Sequence, residues 1–290
     1  MKIFYQINKL EEKKAYFYNE DKKEISEDEL PKDILKVPMG FPEAVLFYPP
    51  LKGKIYAYVL DSKGRKQYFY TKEHKEKMGD KKYKHFPKII PKVEKLLNSC
   101  KNKNDQICQS IIMMSECNFR IGHEKYKKLY NTNGTLTLNH SHLEKNNKNN
   151  IHIKFIGKKK EENYCLVEPS SPVYKMANNS LQKKQPLFKD VNYKNVYSYL
   201  KKFDLKPKDV RQYNANLLFY NNIRSQKIDD KPKKYLKKIL ELTAVKMNHS
   251  PTVCKKEYLM PLWFDAENLE KTQLYAKNHS FKDTIAYLSK

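Results

Sequence analysis

The hydrophobic pattern of this chain changes period once, and that change decides most of what it can fold into. In residues 1–79 the apolar side chains fall on alternate positions, in "KIFYQI", "KAYFYN", "AVLFYP", "KIYAYVL" and "RKQYFYT", each bounded by charged, proline or glycine turns. Alternation buries one face of a pleated strand and exposes the other, so the segment predicts a small antiparallel sheet. "KMGDKKYK", residues 77–84, joins a glycine to a run of charge and reads as a solvated hinge. Beyond it the spacing becomes three and four. "FPKIIPKVEKLL" and "DQICQSIIMMSECNF" read as helices, with Ile107, Ile111 and Met114 on one stripe and Cys108 and Ile112 beside it.

A short β interlude follows in "GTLTLNH", "IHIKFIG" and "NYCLVE", where Ile151, Ile153 and Phe155 share a face. Gly157 opens a tight turn, which makes "GKKKEE" the tip of a hairpin, and "EKNNKNN", residues 144–150, reads as an exposed connection. From about residue 190 the helical spacing returns and continues to the end. The fold class is therefore α+β. A small antiparallel N-terminal domain, residues 1–79, precedes a larger and mainly helical domain, residues 80–290, that carries a β-hairpin.

Charge narrows the partners. With 58 Lys and Arg against 33 Asp and Glu, the net charge of +25 opposes compaction unless a polyanion relieves it, and nucleic acid is the first candidate. Only four of the basic residues are arginines: Arg65, Arg120, Arg211 and Arg224. In so lysine-rich a background, an arginine marks a place where a planar five-donor fork is needed.

The five cysteines, Cys100, Cys108, Cys117, Cys165 and Cys254, are odd in number and scattered, without Cys-x-x-Cys, and read as reduced thiols of an intracellular protein. No stretch approaches ~18 consecutive apolar residues, so neither export nor membrane spanning is expected and the protein is expected to be soluble. None of the seven glycines forms a phosphate-binding loop, and no His-Glu-x-x-His or clustered carboxylates mark a metal site. No cofactor, nucleotide or metal is expected. Chemistry on phosphate would then fall to cationic side chains.

The candidates are Arg120 in "ECNFRIGH", Lys158 in "GKKKEE", Arg211 in "KPKDVRQY", and His249 and Tyr258 in "HSPTVCKKEY". Each also has a plain structural reading. Arg120 suits a helix C-terminal dipole, Lys158 a solvated turn, Arg211 a surface ion pair, and Tyr258, four residues after Cys254, ordinary packing. Ser250-Pro251 opens a helix as N-cap and first-turn proline. In one unbroken helix, nine residues at ~100° would put His249 and Tyr258 on opposite faces. Either His249 precedes the helix or Tyr258 moves.

Taken together, "DSKGRKQYFYTKEH", "FRIGHEKY", "IKFIGKKK", "KDVRQYNAN" and "NHSPTVCKKEY" resemble, in order and over nearly the whole chain, the type IB DNA topoisomerases of poxviruses and giant viruses. The resemblance implies relaxation of supercoils through transient single-strand cleavage and a 3′-phosphotyrosyl intermediate, without ATP or metal. It makes Tyr258 the nucleophile and Arg120, Lys158, Arg211 and His249 the transition-state residues, with the arginines and the histidine supplying positive field and Lys158 the proton for the leaving 5′-oxygen. Lys159 and Lys160 stand beside Lys158 and leave the acting ammonium open among the three. Gln67, Tyr68 and Tyr70 would meet bases, with Arg65, Tyr126 and Lys208 at the same interface. The partner implied is double-stranded DNA, gripped by a monomeric clamp in a viral replication factory or virion. Three of the four arginines fall within the five stretches, and Arg224 is read as structural. Two rivals differ in detail. A tyrosine recombinase usually has histidine where this chain has Lys208, and a non-catalytic DNA-packaging protein would need the charge but not the ordered motifs.

Overall fold

A computed structural model describes residues 1–62, 64–101, 103–228 and 231–289, with the side chains of 80–82 outside the description. The chain divides into two compact units, Met1–Lys84 and His85–Lys290. Mixed α and β structure is distributed between them as the change of period predicts.

The first unit is an antiparallel sheet of β1 (Lys2–Lys9), β2 (Lys14–Tyr18), β3 (Glu24–Ile25), β4 (Glu43–Leu51), β5 (Ile55–Leu60) and β6 (Lys66–Tyr70). Its spatial order is β3-β2-β1-β4-β5-β6. One face carries Phe4, Phe17, Leu46, Ala57 and Val59, and the connection between β3 and β4 closes over it with Leu30, Ile34 and Val37. The edge strand β6 pairs Tyr68 with Tyr58 and Gln67 with Val59. Because side chains alternate, Lys66, Tyr68 and Tyr70 share the face opposite the core.

Helix α1 (Lys72–Cys100) contains residues 77–84, where the sequence reads a hinge. Lysine and glutamate are good helix formers and a single glycine costs only about 1 kcal/mol, so a charge run does not by itself end a helix. Past it, Phe86, Ile89, Ile90, Val93, Leu96 and Cys100 are buried at the expected spacing. Next come α2 (Gln106–Glu116), capped by Asp105 through Cys108 N–H, and α3 (Glu124–Tyr130), capped by His123.

"GTLTLNH" is not a strand. Thr135–Thr137 forms a single 3-10 turn, because Gly134 lies against Gly122 and the loop after α2. A Cβ on Gly134 would stand 2.6 Å from Gly122 Cα, so only glycine permits the approach. Thr135 and Leu136 N–H then donate to the Arg120 and Ile121 carbonyls at 2.8 Å. The sequence reading misses two short strands, β3 in the first unit and β7 (Leu143–Lys145), which overlaps the segment taken as a connection and pairs with β8 (Ile151–Ile156). β8 pairs in turn with β9 (Glu162–Val167), and the turn between them carries the three lysines, as expected. The remaining helices are α4 (Tyr174–Lys183), α5 (Tyr193–Lys201), α6 (Pro207–Ser225), α7 (Pro232–Lys246), α8 (Pro251–Glu257), α9 (Leu269–Asn278) and α10 (Phe281–Leu288).

Candidate active site

A cleft of about 920 Å³ in the second unit is lined by Arg120, Lys158, Lys208, Arg211, His249 and Tyr258. They arrive from four places: the loop after α2, the β8–β9 turn, the first turns of α6, and α8 with the residue before its cap. The sequence analysis singles out these six, and the fold brings them together across as many as 138 positions, from 120 to 258. Lys159 also lines the cleft.

Ser250 caps α8 and Pro251 occupies its first turn, as the sequence predicts. His249 lies before the cap and Tyr258 is the C-cap residue, with φ −125° and ψ −39°. The helix is thus too short to separate them by nine helical residues. Their rings stack at 5.0 Å and 16°. Tyr258, only 6% exposed, is held from behind by Asn216, whose Nδ2 donates to the Tyr258 carbonyl at 2.9 Å while its Oδ1 accepts from Met260 N–H and the Trp263 indole.

Arg211 is almost wholly buried. One terminal nitrogen donates to the Asn118 carbonyl and the other to the Met247 carbonyl at 3.4 Å and to His249 Nε2 at 2.6 Å. Its carbon lies 5.3 Å from the Tyr258 ring centroid. Burial pushes its pKa down to about 10, opposed by Tyr258, so it stays cationic at neutral pH. Its Nε is buried without a partner among the described residues. Arg120 is half-buried and faces the same cleft.

His249 departs from expectation. Burial first, then Arg211 and Arg120, push its pKa down from 6.5 to about 3, so the ring is neutral rather than a third cation. A guanidinium can only donate, so Nε2 accepts and the ring proton resides on Nδ1. Lys208 pairs with Glu257 at 2.8 Å and lies 5.7 Å from the Tyr258 ring centroid.

Buried asparagines, absent from the sequence-based candidates, tie these parts together. Asn214 Nδ2 donates to the Ser115 carbonyl at 2.7 Å and to Asn118 Oδ1 at 3.0 Å. Asn118 Nδ2 donates to the Lys246 carbonyl at 3.1 Å, which joins the Arg120 loop, α6 and the end of α7. Asn118 and Asn248 both have left-handed backbone, φ 55° and 54°. An asparagine one or two residues past a helical pattern is the available sequence signal, and it is a weak one.

The cysteine reading fails in part. Cys117 and Cys165 form a disulfide with Cα atoms 5.3 Å apart, because β9 runs beside the end of α2. Cys100, Cys108 and Cys254 are free and buried. Burial pushes the Cys254 thiol, beside Arg211, up to about 12, which leaves it inert at neutral pH.

Of the other predicted contacts, Arg65, Gln67, Tyr68 and Tyr70 belong to the first unit and Tyr126 to the second. In the first unit Tyr68 is 46% exposed, Lys66 sits 4.4 Å over Tyr58, and Tyr70 stacks on His74 at 5.2 Å. Gln67 is on the other face, where it donates to Asp61 at 3.3 Å, the carboxylate that also pairs with Arg65 at 2.6 Å. In the second unit Tyr126 is an exposed residue of α3, 5.7 Å from the His123 ring. Arg224 lies 5.0 Å over Tyr220 and donates to the Lys277 carbonyl at 3.4 Å, in keeping with a structural role. Among the described residues no helix is long and apolar enough to cross a membrane, and no three metal-ligating side chains converge.

Fold and cleft together define a basic α+β protein whose helical unit is built to receive anionic groups. Residues 71–284 match the model of the eukaryotic DNA topoisomerase I catalytic core. The chain is 31% identical to DNA topoisomerase 1 of Rabbit fibroma virus, over 78% of this chain and 77% of that one. It is 34% identical to DNA topoisomerase 1B of Vaccinia virus (strain Copenhagen), over 69% and 68%, and 26% identical to that of Acanthamoeba polyphaga mimivirus, over 96% and 90%. The chain belongs to the type IB DNA topoisomerase family, and it is an enzyme of that type.

Proposed function

We propose that the enzyme relaxes supercoiled double-stranded DNA by cutting and resealing one strand, with Tyr258 as nucleophile. The observation that carries the reading is the convergence of Arg120, Lys158, Arg211, His249 and Tyr258 on one cleft.

A phenol attacks well only as its proton leaves, here to solvent in the open cleft, and the Arg211 guanidinium, 5.3 Å from the ring centroid, faces the charge that the reaction moves from the attacking oxygen to the phosphate. Attack forms a bond from the Tyr258 oxygen to phosphorus and breaks the bond from phosphorus to the 5′-oxygen, which takes a proton from Lys158. As charge builds on the non-bridging oxygens, Arg120 and Arg211 bind it as guanidinium forks and His249 as a neutral Nδ1–H donor. The products are a 3′-phosphotyrosyl bond and a 5′-hydroxyl strand free to rotate about its intact partner. The reverse attack reseals the strand. One phosphodiester is exchanged for another of similar energy, so the cycle needs no ATP. The side-chain cations carry the charge that a metal would otherwise neutralise.

The aromatic and basic face of β6, with Tyr68 and Tyr70, suits contact with thymine methyls, and Gln67 suits a bidentate pair with adenine. Arg65, Tyr126 and Lys208 are assigned to the DNA interface on residue type and position.

The test is relaxation of negatively supercoiled plasmid in EDTA without ATP, together with Tyr258→Phe. The variant should form no covalent adduct on denaturing gels yet bind DNA within a few fold of the parent, because one hydroxyl contributes little to a +25 chain on a polyanion. Adducts on another tyrosine, or recombinant plasmids in place of relaxed ones, would overturn the reading.

A further inference from the structure

In the three-stranded sheet β7-β8-β9, β9 is an edge, so the backbone groups on its outer side have no strand to pair with. One of them is taken by a side chain from far along the chain. Tyr164 N–H donates to Asn248 Oδ1 at 2.8 Å, and Asn248 Nδ2 donates to the Cys117 carbonyl at 3.3 Å. Asn248 therefore bridges the lysine hairpin to the end of the α2 segment, three residues before Arg120, and it directly precedes His249. Its own backbone is held there, with N–H donating to the Val245 carbonyl at 3.1 Å.

The bridge is placed to control the hairpin tip. Tyr164 pairs with Lys154, and only the pairs Phe155–Asn163 and Ile156–Glu162 lie between that rung and the turn bearing Lys158. The tip itself is exposed, and Lys159 and Lys160 have left-handed backbone. On the β8 side, Phe155 packs edge-on against Phe119 at 4.7 Å, a contact that tolerates sliding. An amide that donates and accepts at once fixes register, which ring packing does not. The neighbouring Cys117–Cys165 disulfide ties the same two segments covalently.

We infer that Asn248 is a positioning residue for the general acid: it sets the height of Lys158 over the scissile phosphate by holding β9 to the Arg120 loop. The inference rests on the proposed role of Lys158 as proton donor. A general acid that is misplaced matters only when the leaving group needs a proton. An alkoxide does, whereas a thiolate leaves unaided, so sulfur at the bridging 5′ position separates loss of the acid from loss of anything else.

The experiment is single-turnover cleavage of matched duplexes with oxygen or sulfur at that bridge, with reductant present so that the amide bridge acts without the disulfide. Asn248→Gly keeps the left-handed backbone and removes only the side chain. We expect it to cleave the oxygen substrate at least about tenfold slower, since displacements of ~1 Å can cost on the order of 10²-fold. On sulfur it should come within about twofold of the parent. Asn248→Asp, which keeps the acceptor for Tyr164 but not the donor to Cys117, should show the same pattern more weakly, and serves if the glycine variant melts early. Equal slowing on both substrates would mean that Asn248 acts through His249 or general folding, and parental rates on both would mean that the bridge is idle. Either result overturns the inference. Lys158→Ala runs alongside: if sulfur fails to rescue it, the role of Lys158 is wrong, whereas rescue of Lys158→Ala without rescue of Asn248→Gly condemns the bridge alone.

Discussion

Lowering the pH from 8 to 5 should leave His249 neutral in the free enzyme. With its pKa near 3, the cationic form is roughly one part in ten thousand at pH 7 and about one in a hundred at pH 5. In the proposed mechanism the ring then serves as a one-proton donor held by Arg211, and not as a charge. Rates measured with subsaturating DNA report the free enzyme's titrations, free of the upward pull that a bound phosphate exerts on an imidazole. The informative quantity is the ratio of parent to His249→Gln, because the titrations of every other group cancel in it. A neutral donor keeps this ratio flat within about twofold from pH 8 to 5. An imidazolium of ordinary pKa would raise it about thirtyfold over the same interval. That rise would refute the assignment. At any single pH, His249→Ala should lose on the order of 10²–10³ in rate, as removal of one oxyanion donor does, and His249→Gln less, since an amide still donates.

The same shift predicts a stability profile. Between pH 3 and 6.5 the unfolded chain protonates His249 while the folded chain does not. The unfolded state binds more protons there, so the contribution of His249 is full above pH 6.5 and is lost as the pH falls towards 3. His249→Gln should flatten that part of a denaturant-midpoint curve against pH.

Arg120→Lys and Arg211→Lys keep the charge but lose the fork, and each should slow cleavage by on the order of 10²–10³ in single-turnover assays; near-parental rates would contradict the guanidinium roles. Arg211→Lys should also destabilise the fold, by about 1–3 kcal/mol for each buried carbonyl it strands, which Arg120→Lys should not. Replacing Cys117 and Cys165 together by serine should cost up to about 4 kcal/mol in non-reducing denaturant titrations, from the 48-residue separation they close, and nothing once the parent is reduced. Gln67→Ala should weaken discrimination at one base by about 1–3 kcal/mol in cleavage mapping and leave the rate of bound complex unchanged.

What the sequence makes legible follows from where the information sits. Period-two and period-three spacing are local, so the division into a sheet-rich and a helical part is readable, and the cap at Ser250 needs only its neighbours. The five residues proposed for the reaction are readable because the motifs around them stand in a familiar order; taken singly, each also has a plain structural reading, and Lys158 has two lysines beside it. Strand β7 is not readable, since Leu143–Lys145 is three residues long and exists by pairing with β8. Nor is the Cys117–Cys165 pair, whose members share no motif and meet only because β9 passes the end of α2.

His249 shows the limit most clearly. Its identity says that it can be charged or neutral, and the choice is made first by burial in the folded chain and then by Arg211, 38 residues earlier, and Arg120, 129 residues earlier. Two guanidiniums that would favour an anion also disfavour a further cation beside them. Burial against Arg211 therefore leaves a neutral imidazole, and in the proposed mechanism the scissile phosphate is the anion that both arginines would receive. The asparagines follow the same logic. Asn118, Asn214 and Asn248 carry no charge of their own, so they brace backbone carbonyls inside this field without neutralising Arg120 and Arg211, the cations of the proposed mechanism.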